Sequence, residues 1–181
     1  MTLKNEIVLI TYPDSMGRNL KELKDILLNH CQGVVGGVHL LPFFPSSADR
    51  GFAPLTYEEV DPAFGSWDDL QAIGTHFYLV YDFMINHVSR QSTYFQDFKR
   101  KKDQSEFADL FIRYKDFWPG GEPSKEEVEL IYKRKPKAPY TTVRFADGTE
   151  EKIWCTFTDE QIDLNVNTKV GKDFIRDALR F

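Results

Sequence analysis

The chain has 181 residues, enough for one domain with a sizeable core, and 41% of them are hydrophobic and 28% charged, as in an ordinary globular protein. Its formal net charge of -5 at pH 7 argues against a nucleic-acid-binding surface. The amino terminus lacks the apolar core of a signal peptide, and no stretch is long enough to span a bilayer. Cys31 and Cys155 fit neither a disulfide framework nor metal spacing, so we expect reduced thiols and a cytoplasmic location.

The first part of the chain alternates between strand and helix patterns. Residues 7–12 and 38–44 are short β runs, and residues 20–29 between them place leucines at helical spacing. A second helix is predicted over residues 66–73. The order strand, helix, strand predicts the βαβ units of a parallel sheet.

The stretch from Phe77 to His87 follows the second helix and is apolar and aromatic without alternation at its start. Such a run predicts a third strand that is buried on both faces. Three polar residues, Asp82, Asn86 and His87, cluster at its carboxyl end. In parallel α/β folds, the loops at this end of the strands form the active site.

The loop after the second strand, residues 45–57, is rich in turn residues and carries Asp49 and Phe52. Neighbouring parallel strands place their carboxyl ends side by side. We therefore expect Asp49, Phe52 and His87 to converge in space.

From Val88 onward the alternation stops, and a longer mixed segment begins. The elements predicted there are a helix over residues 95–111, a short helix over 126–132, a hairpin with strands 140–145 and 151–157, and a final helix from residue 170. This pattern predicts a small subdomain inserted after the third strand.

Two motifs resemble those of the α-amylase clan of glycoside hydrolases. Asp82-Phe-Met-Ile-Asn-His87 resembles the D-x-x-x-N-H pattern that ends the clan's third barrel strand, and Gln161-Ile-Asp-Leu-Asn165 is similar to a short motif near the end of its inserted subdomain. Four further segments together resemble the sucrose phosphorylase branch, which includes enzymes that act on sucrose 6′-phosphate and glucosylglycerate. They are Gly37-Val-His-Leu-Leu-Pro-Phe-Phe44, Asp49-Arg-Gly-Phe52, Gly65-Ser-Trp67 and Ile153-Trp-Cys-Thr-Phe157.

The resemblance implies an α/β fold, the N-terminal portion of a TIM (β/α)8 barrel with about three βα units. Residues 1–87 would form those units, residues 88–165 the inserted subdomain, and residues 166–181 the start of the third barrel helix. Three strands cannot close a barrel, so we also expect an open sheet edge through which the chain self-associates.

The resemblance also implies a retaining glucosyl transfer from sucrose or a related α-glucoside to phosphate, which gives α-glucose 1-phosphate. The partners would be these small molecules, without nucleic acid, membrane, metal or other cofactor. The family's nucleophile and acid/base lie beyond the residue that matches Phe181. We therefore expect the 181 residues to be inactive alone.

Five residues match substrate-binding positions of the family. Asp49 matches the carboxylate that binds the glucosyl hydroxyls farthest from the reacting carbon, and Phe52 matches the aromatic wall of that subsite. His87 matches a neutral donor to the glucosyl ring. Phe157 and Gln161 match positions beside the cleft.

Asn86 and Asp163 match positions that hold calcium in many amylases. Because the sucrose phosphorylase branch generally lacks that ion, we assign both residues to the hydrogen bonding of loops.

A basic run, residues 133–137, follows Tyr132 in an otherwise acidic chain. One interpretation is a solvated loop. The other is that Tyr132, Arg134 and Lys135 contact phosphate or a phosphorylated acceptor, with arginine as a bidentate fork and lysine as a point charge.

Two alternatives to the enzyme remain open at this stage. The chain would be a non-catalytic carbohydrate-binding remnant of the clan, or an interaction protein that reuses the fold. The coding sequence after Phe181 distinguishes them. A fourth strand that ends in Arg-x-Asp favours the enzyme, and an immediate stop favours the remnant.

Overall fold

The computed structural model describes residues 5–118, 120–132 and 136–180, which fall into two units. The first unit contains the chain up to Ser46 and Thr56–Phe83, and the second contains Ser47–Leu55 and the chain from Met84. The strands are β1 (Val8–Thr11), β2 (Gly37–Leu40), β3 (Tyr78–Tyr81), β4 (His87–Ser89), β5 (Tyr140–Arg144), β6 (Glu150–Trp154) and β7 (Gln161–Asp163). The helices are α1 (Leu20–Ile26), α2 (Trp67–Gly74), α3 (Thr93–Lys101), α4 (Tyr114–Phe117), α5 (Lys125–Leu130) and α6 (Lys169–Ala178).

The first unit is a parallel three-stranded sheet in the order β1-β2-β3. Helix α1 connects β1 to β2, and helix α2 connects β2 to β3. Two consecutive βαβ units are therefore present, as the alternation of patterns predicts. None of the described helices is long and apolar enough to cross a membrane.

The helices of this unit begin at side-chain caps and bury their leucines. The Asn19 side chain accepts a hydrogen bond from the Glu22 amide and starts α1, which buries Leu20 and Leu23 and continues as a π-helical segment, Leu27–Cys31. Helix α2 begins with a complete capping box between Ser66 and Asp69. Both helices thus bury their apolar faces in the core of the first unit.

The expectation for residues 77–87 is wrong in two respects. Strand β3 comprises four residues, and none of them is buried; Tyr81 is 42% exposed. Among the described residues β3 is an edge strand paired with β2 alone, so its apolar side chains lack neighbours on the other side. His87 also does not end this strand, but lies in the separate strand β4.

The second unit contains two antiparallel strand pairs. Strand β4 pairs with β7, with His87 opposite Asp163 and Ser89 opposite Gln161. The hairpin of β5 and β6 confirms the prediction from the Asp-Gly turn, in which Gly148 adopts a positive φ of 84°. Strand β7 has three residues, too few to give a periodic pattern.

An aromatic core holds this unit together. Phe95 and Phe98 on α3 are fully buried, and the Phe98 ring lies 5.3 Å from Phe111 and 5.1 Å from Phe145. The helix predicted over residues 95–111 ends early, because Lys102 adopts a φ of 51° that an α-helix cannot accommodate. Short 3-10 turns replace the rest of it.

Candidate functional site

The site is built from one loop and one strand pair of the second unit. The loop, residues 47–55, supplies Asp49 and Phe52, and strands β4 and β7 supply His87 and Gln161. The antiparallel pairing brings together side chains that are 74 residues apart in the chain. The expected convergence of Asp49, Phe52 and His87 is therefore present.

Gln161 connects these residues, although it is only 1% exposed. Its Nε2 donates to the carbonyl oxygen of Phe52 at 2.8 Å and to the Asp49 carboxylate at 3.1 Å. Its Oε1 accepts from the Thr158 hydroxyl at 2.9 Å. These partners fix the orientation of the amide, because both of its hydrogens point to acceptors and its oxygen faces a hydroxyl.

His87 is 4% exposed and also contacts Phe52. Its Nε2 lies 2.7 Å from the Phe52 carbonyl oxygen, an acceptor, so Nε2 carries the hydrogen. The other nitrogen, Nδ1, then accepts from Asn86 Nδ2 at 3.3 Å. Burial lowers the pKa of His87, against the opposing effects of the Phe52 carbonyl and the Asp49 carboxylate, and the imidazole is therefore held neutral.

Asp49 differs from its buried neighbours because it is exposed. It adopts a φ of 55°, and Arg50 follows with φ 48° and ψ 50°. Left-handed backbone is uncommon outside glycine, and two such residues in succession at a carboxylate are typical of a functional loop. The Gln161 amide orients this carboxylate from beneath the loop.

Aromatic rings flank the polar group. The Phe157 ring is half-buried, and its centroid lies 5.0 Å from that of His87 at an angle of 56°. Phe52 is also half-buried. An exposed carboxylate beside half-buried rings suits a sugar, which offers hydroxyl groups on its edge and C–H groups on its face.

Asn86 and Asp163 hydrogen-bond to one another through Asn86 Nδ2 and Asp163 Oδ1 at 3.3 Å. Asp163 also accepts from the amide and hydroxyl of Thr156. Burial raises the pKa of Asp163, and these hydrogen bonds partly oppose that effect. The two residues tie the segment before β7 to the segment before β4. Within the described ranges, no three His, Cys, Asp or Glu side chains converge as metal ligands would.

The basic run is described only in part. Tyr132 is 80% exposed. Arg134 and Lys135 lie outside the described residues, so the choice between a solvated loop and a phosphate contact stays a prediction.

Sequence reasoning missed three residues around this site: Ser47, Ser89 and Glu160. Their side chains form one hydrogen-bond network with Gln91 beside the loop. One signal was present in the sequence, since Glu160 directly precedes the Gln161-Ile-Asp-Leu-Asn165 motif.

Comparison with known proteins gives concordant matches. Residues 18–181 match the family model of the α-amylase catalytic domain. Over 179 residues the chain is 54% identical to the sucrose phosphorylase of Streptococcus mutans, covering 99% of this chain and 37% of that protein. Over 185 residues it is 49% identical to the sucrose 6(F)-phosphate phosphorylase of Thermoanaerobacterium thermosaccharolyticum, covering 99% of this chain and 38% of that one.

Among solved structures, the sucrose 6F-phosphate phosphorylase from Thermoanaerobacter thermosaccharolyticum superposes with a TM-score of 0.94 at 49% identity, covering 99% of this chain and 37% of that structure. The chain thus spans little more than a third of the length of these relatives.

Proposed function

Because this chain belongs to the α-amylase catalytic-domain family and supplies an N-terminal portion of its TIM barrel, we propose that it builds the glucosyl subsite of a retaining glycoside phosphorylase. The reaction transfers glucosyl from sucrose or a related α-glucoside to phosphate and gives α-glucose 1-phosphate. The observation that carries this proposal is the convergence of Asp49, Phe52 and His87 around the buried amide of Gln161.

Each of these residues receives a role in the subsite. Asp49 accepts hydrogen bonds from the glucosyl hydroxyls remote from the reacting carbon, because its carboxylate is exposed and oriented. Phe52 and Phe157 cover the C–H face of the sugar. Gln161 holds the carbonyl of Phe52 and the carboxylate of Asp49 in place.

His87 acts as a neutral hydrogen-bond donor. Its Nε2–H already donates to the Phe52 carbonyl, so contact with a sugar oxygen requires that this hydrogen be shared between two acceptors. A donor held neutral by burial binds a sugar oxygen without placing a positive charge beside the oxocarbenium-like transition state.

The covalent steps need two further carboxyl groups on opposite sides of the scissile bond. One attacks the anomeric carbon and displaces the leaving oxygen, which the other protonates. A phosphate oxygen then attacks the same carbon and releases the first carboxylate, and the phosphate proton returns to the second carboxyl group. We assign both groups to the part of the barrel that follows this chain in its relatives. The 181 residues alone are therefore expected to be inactive.

The remaining assignments follow the same proposal. Residues 1–87 form barrel βα units, residues 88–165 the inserted subdomain, and residues from 166 the next barrel helix. The protein is cytoplasmic and needs no metal or other cofactor.

In the isolated chain, the open edge of β3 mediates self-association, because unpaired backbone groups there accept another strand. Sizing chromatography at two protein concentrations tests the last point, and a monomer at both contradicts it.

The experiment that tests the function is a chimera. Residues 1–181 replace the matching segment of the Streptococcus mutans sucrose phosphorylase, to which they are 54% identical. Purified chimera is assayed for glucose 1-phosphate formed from sucrose, sucrose 6′-phosphate and glucosylglycerate in the presence of phosphate. We expect phosphate-dependent turnover of at least one donor. A folded chimera that binds glucose without turnover supports the carbohydrate-binding remnant instead.

The matched variants in this chimera are Asp49→Asn and Asp25→Asn. Replacing Asp49 removes a charged acceptor, so kcat/KM for the donor should fall by roughly tenfold to hundredfold. Asp25 is exposed on α1 and should leave the rate unchanged. If both variants have the same kcat/KM for the donor, Asp49 does not bind the glucosyl group.

A further inference from the structure

We propose that Glu160 is a positioning residue of this site, which together with Gln161 holds both ends of the loop that carries Asp49. The inference rests on the proposed function only in taking Asp49 to contact the substrate. Glu160 itself lies outside the set of side chains assigned to the sugar.

The Glu160 side chain accepts hydrogen bonds from two separate segments of the chain. Its Oε1 accepts from the Ser47 hydroxyl at 2.7 Å and from Gln91 Nε2 at 2.8 Å, and the Ser89 hydroxyl lies 3.4 Å away. Its backbone oxygen accepts from the Arg90 amide at 2.7 Å. Glu160 therefore ties the loop to the segment that begins with strand β4.

The hydrogens of this network can all be placed without conflict. Ser89 is fully buried, and its hydroxyl accepts from the Gln91 amide at 2.8 Å. It can then donate to Ser47 Oγ at 2.6 Å, which leaves the Ser47 hydrogen for Glu160. Each hydroxyl donates once, and the chain of donors ends on the carboxylate. An arrangement of this kind fixes the side chains in one geometry.

The loop needs such support because its backbone is strained. Asp49 and Arg50 have φ values of 55° and 48°, a region that costs free energy for residues with a Cβ. Such a conformation persists only where its surroundings impose it. A hydrogen bond from the Ser47 amide to the Ala53 carbonyl, at 3.1 Å, closes the base of the loop.

Two consecutive residues hold the two ends of this turn. Glu160 binds the Ser47 side chain, two residues before Asp49, and Gln161 binds the Phe52 carbonyl, three residues after it. Removal of the Glu160 carboxylate leaves the Ser47 hydroxyl with Ser89 alone and weakens one end, while Gln161 still holds the other. The Asp49 carboxylate keeps its hydrogen bond from Gln161, but the backbone that carries it is less firmly held, and no group that touches the sugar is lost.

The test uses the chimera with Glu160→Ala, Glu160→Gln and the neighbouring control Asp159→Asn. Glu160→Ala should raise KM for the glucosyl donor and lower kcat/KM by roughly tenfold to hundredfold, as misplacement of a binding group does. Glu160→Gln keeps an acceptor oxygen for Ser47 and should stay within about threefold of the parent. Asp159, whose carboxylate pairs with Lys137, should leave kcat/KM unchanged.

Ser47→Ala provides a second route to the same contact if Glu160→Ala does not fold. It should reproduce most of the loss, and the double variant should lose less than the sum of the two single losses, because both substitutions remove the hydrogen bond between Ser47 and Glu160. Additive losses, or a Glu160→Gln variant as impaired as Glu160→Ala, overturn the positioning role.

A readout independent of activity separates this inference from the proposed function. Hydrogen exchange of the Ser47 and Phe52 amides in the 181-residue chain should accelerate in Glu160→Ala and remain unchanged in Asp159→Asn. If the parent chimera makes no glucose 1-phosphate, the proposed function fails, and this exchange experiment alone decides whether Glu160 holds the loop. Unchanged exchange in Glu160→Ala overturns the inference.

Discussion

The two units differ in what they bury. In the described part of the first unit, Thr11 is the one buried polar residue, and aliphatic side chains and aromatic rings fill the rest of the core. The second unit buries His87, Ser89, Ser92, Asp97, Ser105, Gln161 and Asp163. Because a buried polar group must find a partner, the second unit depends on particular pairs of residues, whereas the first depends on apolar area.

Ion pairs sharpen the contrast. Glu151 on β6 has a side chain that is 8% exposed, and Lys102, Arg113 and Lys115 surround it within 3.1 to 3.7 Å. These partners come from separate turns and a short helix, and they fasten the hairpin to the segment after α3. The stability of a unit built this way falls when a single partner of a buried ion pair is removed.

The largest expected loss of stability comes from a substitution in the core of the first unit. Leu23→Ala removes a fully buried side chain from α1 and should lower the free energy of unfolding by about 2–5 kcal/mol. Urea titrations of the 181-residue chain, all at the same protein concentration, measure this loss. Lys21→Ala, at an exposed position of the same helix, should lower it by less than about 0.5 kcal/mol. Similar losses for both variants would mean that α1 does not pack as described.

In the second unit, loss of the single side-chain amide of Gln161 should lower the stability by a smaller amount. Gln161→Ala removes the donors to Phe52 and Asp49 and leaves the Thr158 hydroxyl without its acceptor. We expect a loss of about 1–3 kcal/mol in the free energy of unfolding. Gln71→Ala, exposed on α2, is the control. Equal losses of unfolding free energy in Gln161→Ala and Gln71→Ala would show that the buried amide does not stabilise the second unit.

The buried polar groups of the second unit also predict that its stability depends on pH. Hydrogen bonds from Lys101 and Ser105, and then from Arg100, lower the pKa of Asp97 from 3.8 to about 2. Since the folded-state pKa lies below the unfolded value, this stabilisation is complete above pH 4 and disappears as the pH falls toward 2.

Asp97→Asn should therefore unfold at lower urea concentration than the parent above pH 5, and the difference should shrink as the pH approaches 2. Urea midpoints measured across this range provide the test, with the exposed Asp25→Asn as the control. A difference that stays constant down to pH 2 contradicts the role of the Asp97 ion pairs.

The smallest effect is chemical and leaves stability unchanged. Burial raises the pKa of Cys155 to about 12, so its thiolate is scarce at neutral pH, whereas Cys31 is partly exposed. Iodoacetamide at pH 7.5 should label Cys31 first, and Cys155 should react only after urea is added. Mass spectrometry of the two peptides measures both rates. Equal labelling of the native chain would show that the core around Cys155 opens readily.

The same contrast explains what the sequence predicts. Strands β1 and β2 and helices α1 and α2 follow from apolar spacing and turn residues, because they are built from neighbours in the chain. The error at β3 arises because burial depends on the elements that pack over and beside a strand, which a pattern within one segment cannot reveal.

Gln161 marks the limit of such reasoning in the second unit. Glutamine is usually exposed, and its burial here follows from Asp49 and Phe52, which lie 112 and 109 residues away. Resemblance to known motifs drew attention to the position, but not to its contacts. The network of Ser47, Ser89 and Glu160 depends equally on distant partners, and the place of Glu160 beside the motif does not indicate its contacts.

The pairing of β4 with β7 also sets when the site can form during synthesis. His87 enters the growing chain 74 residues before Gln161, which at about 5–20 residues per second corresponds to roughly 4–15 s of translation. Throughout that interval β4 lacks its antiparallel partner, and the Asp49 loop lacks both side chains that hold its ends. Nascent chains stalled just before residue 160 should carry an unformed site, and those extended far enough for β7 to leave the ribosome should carry an assembled one.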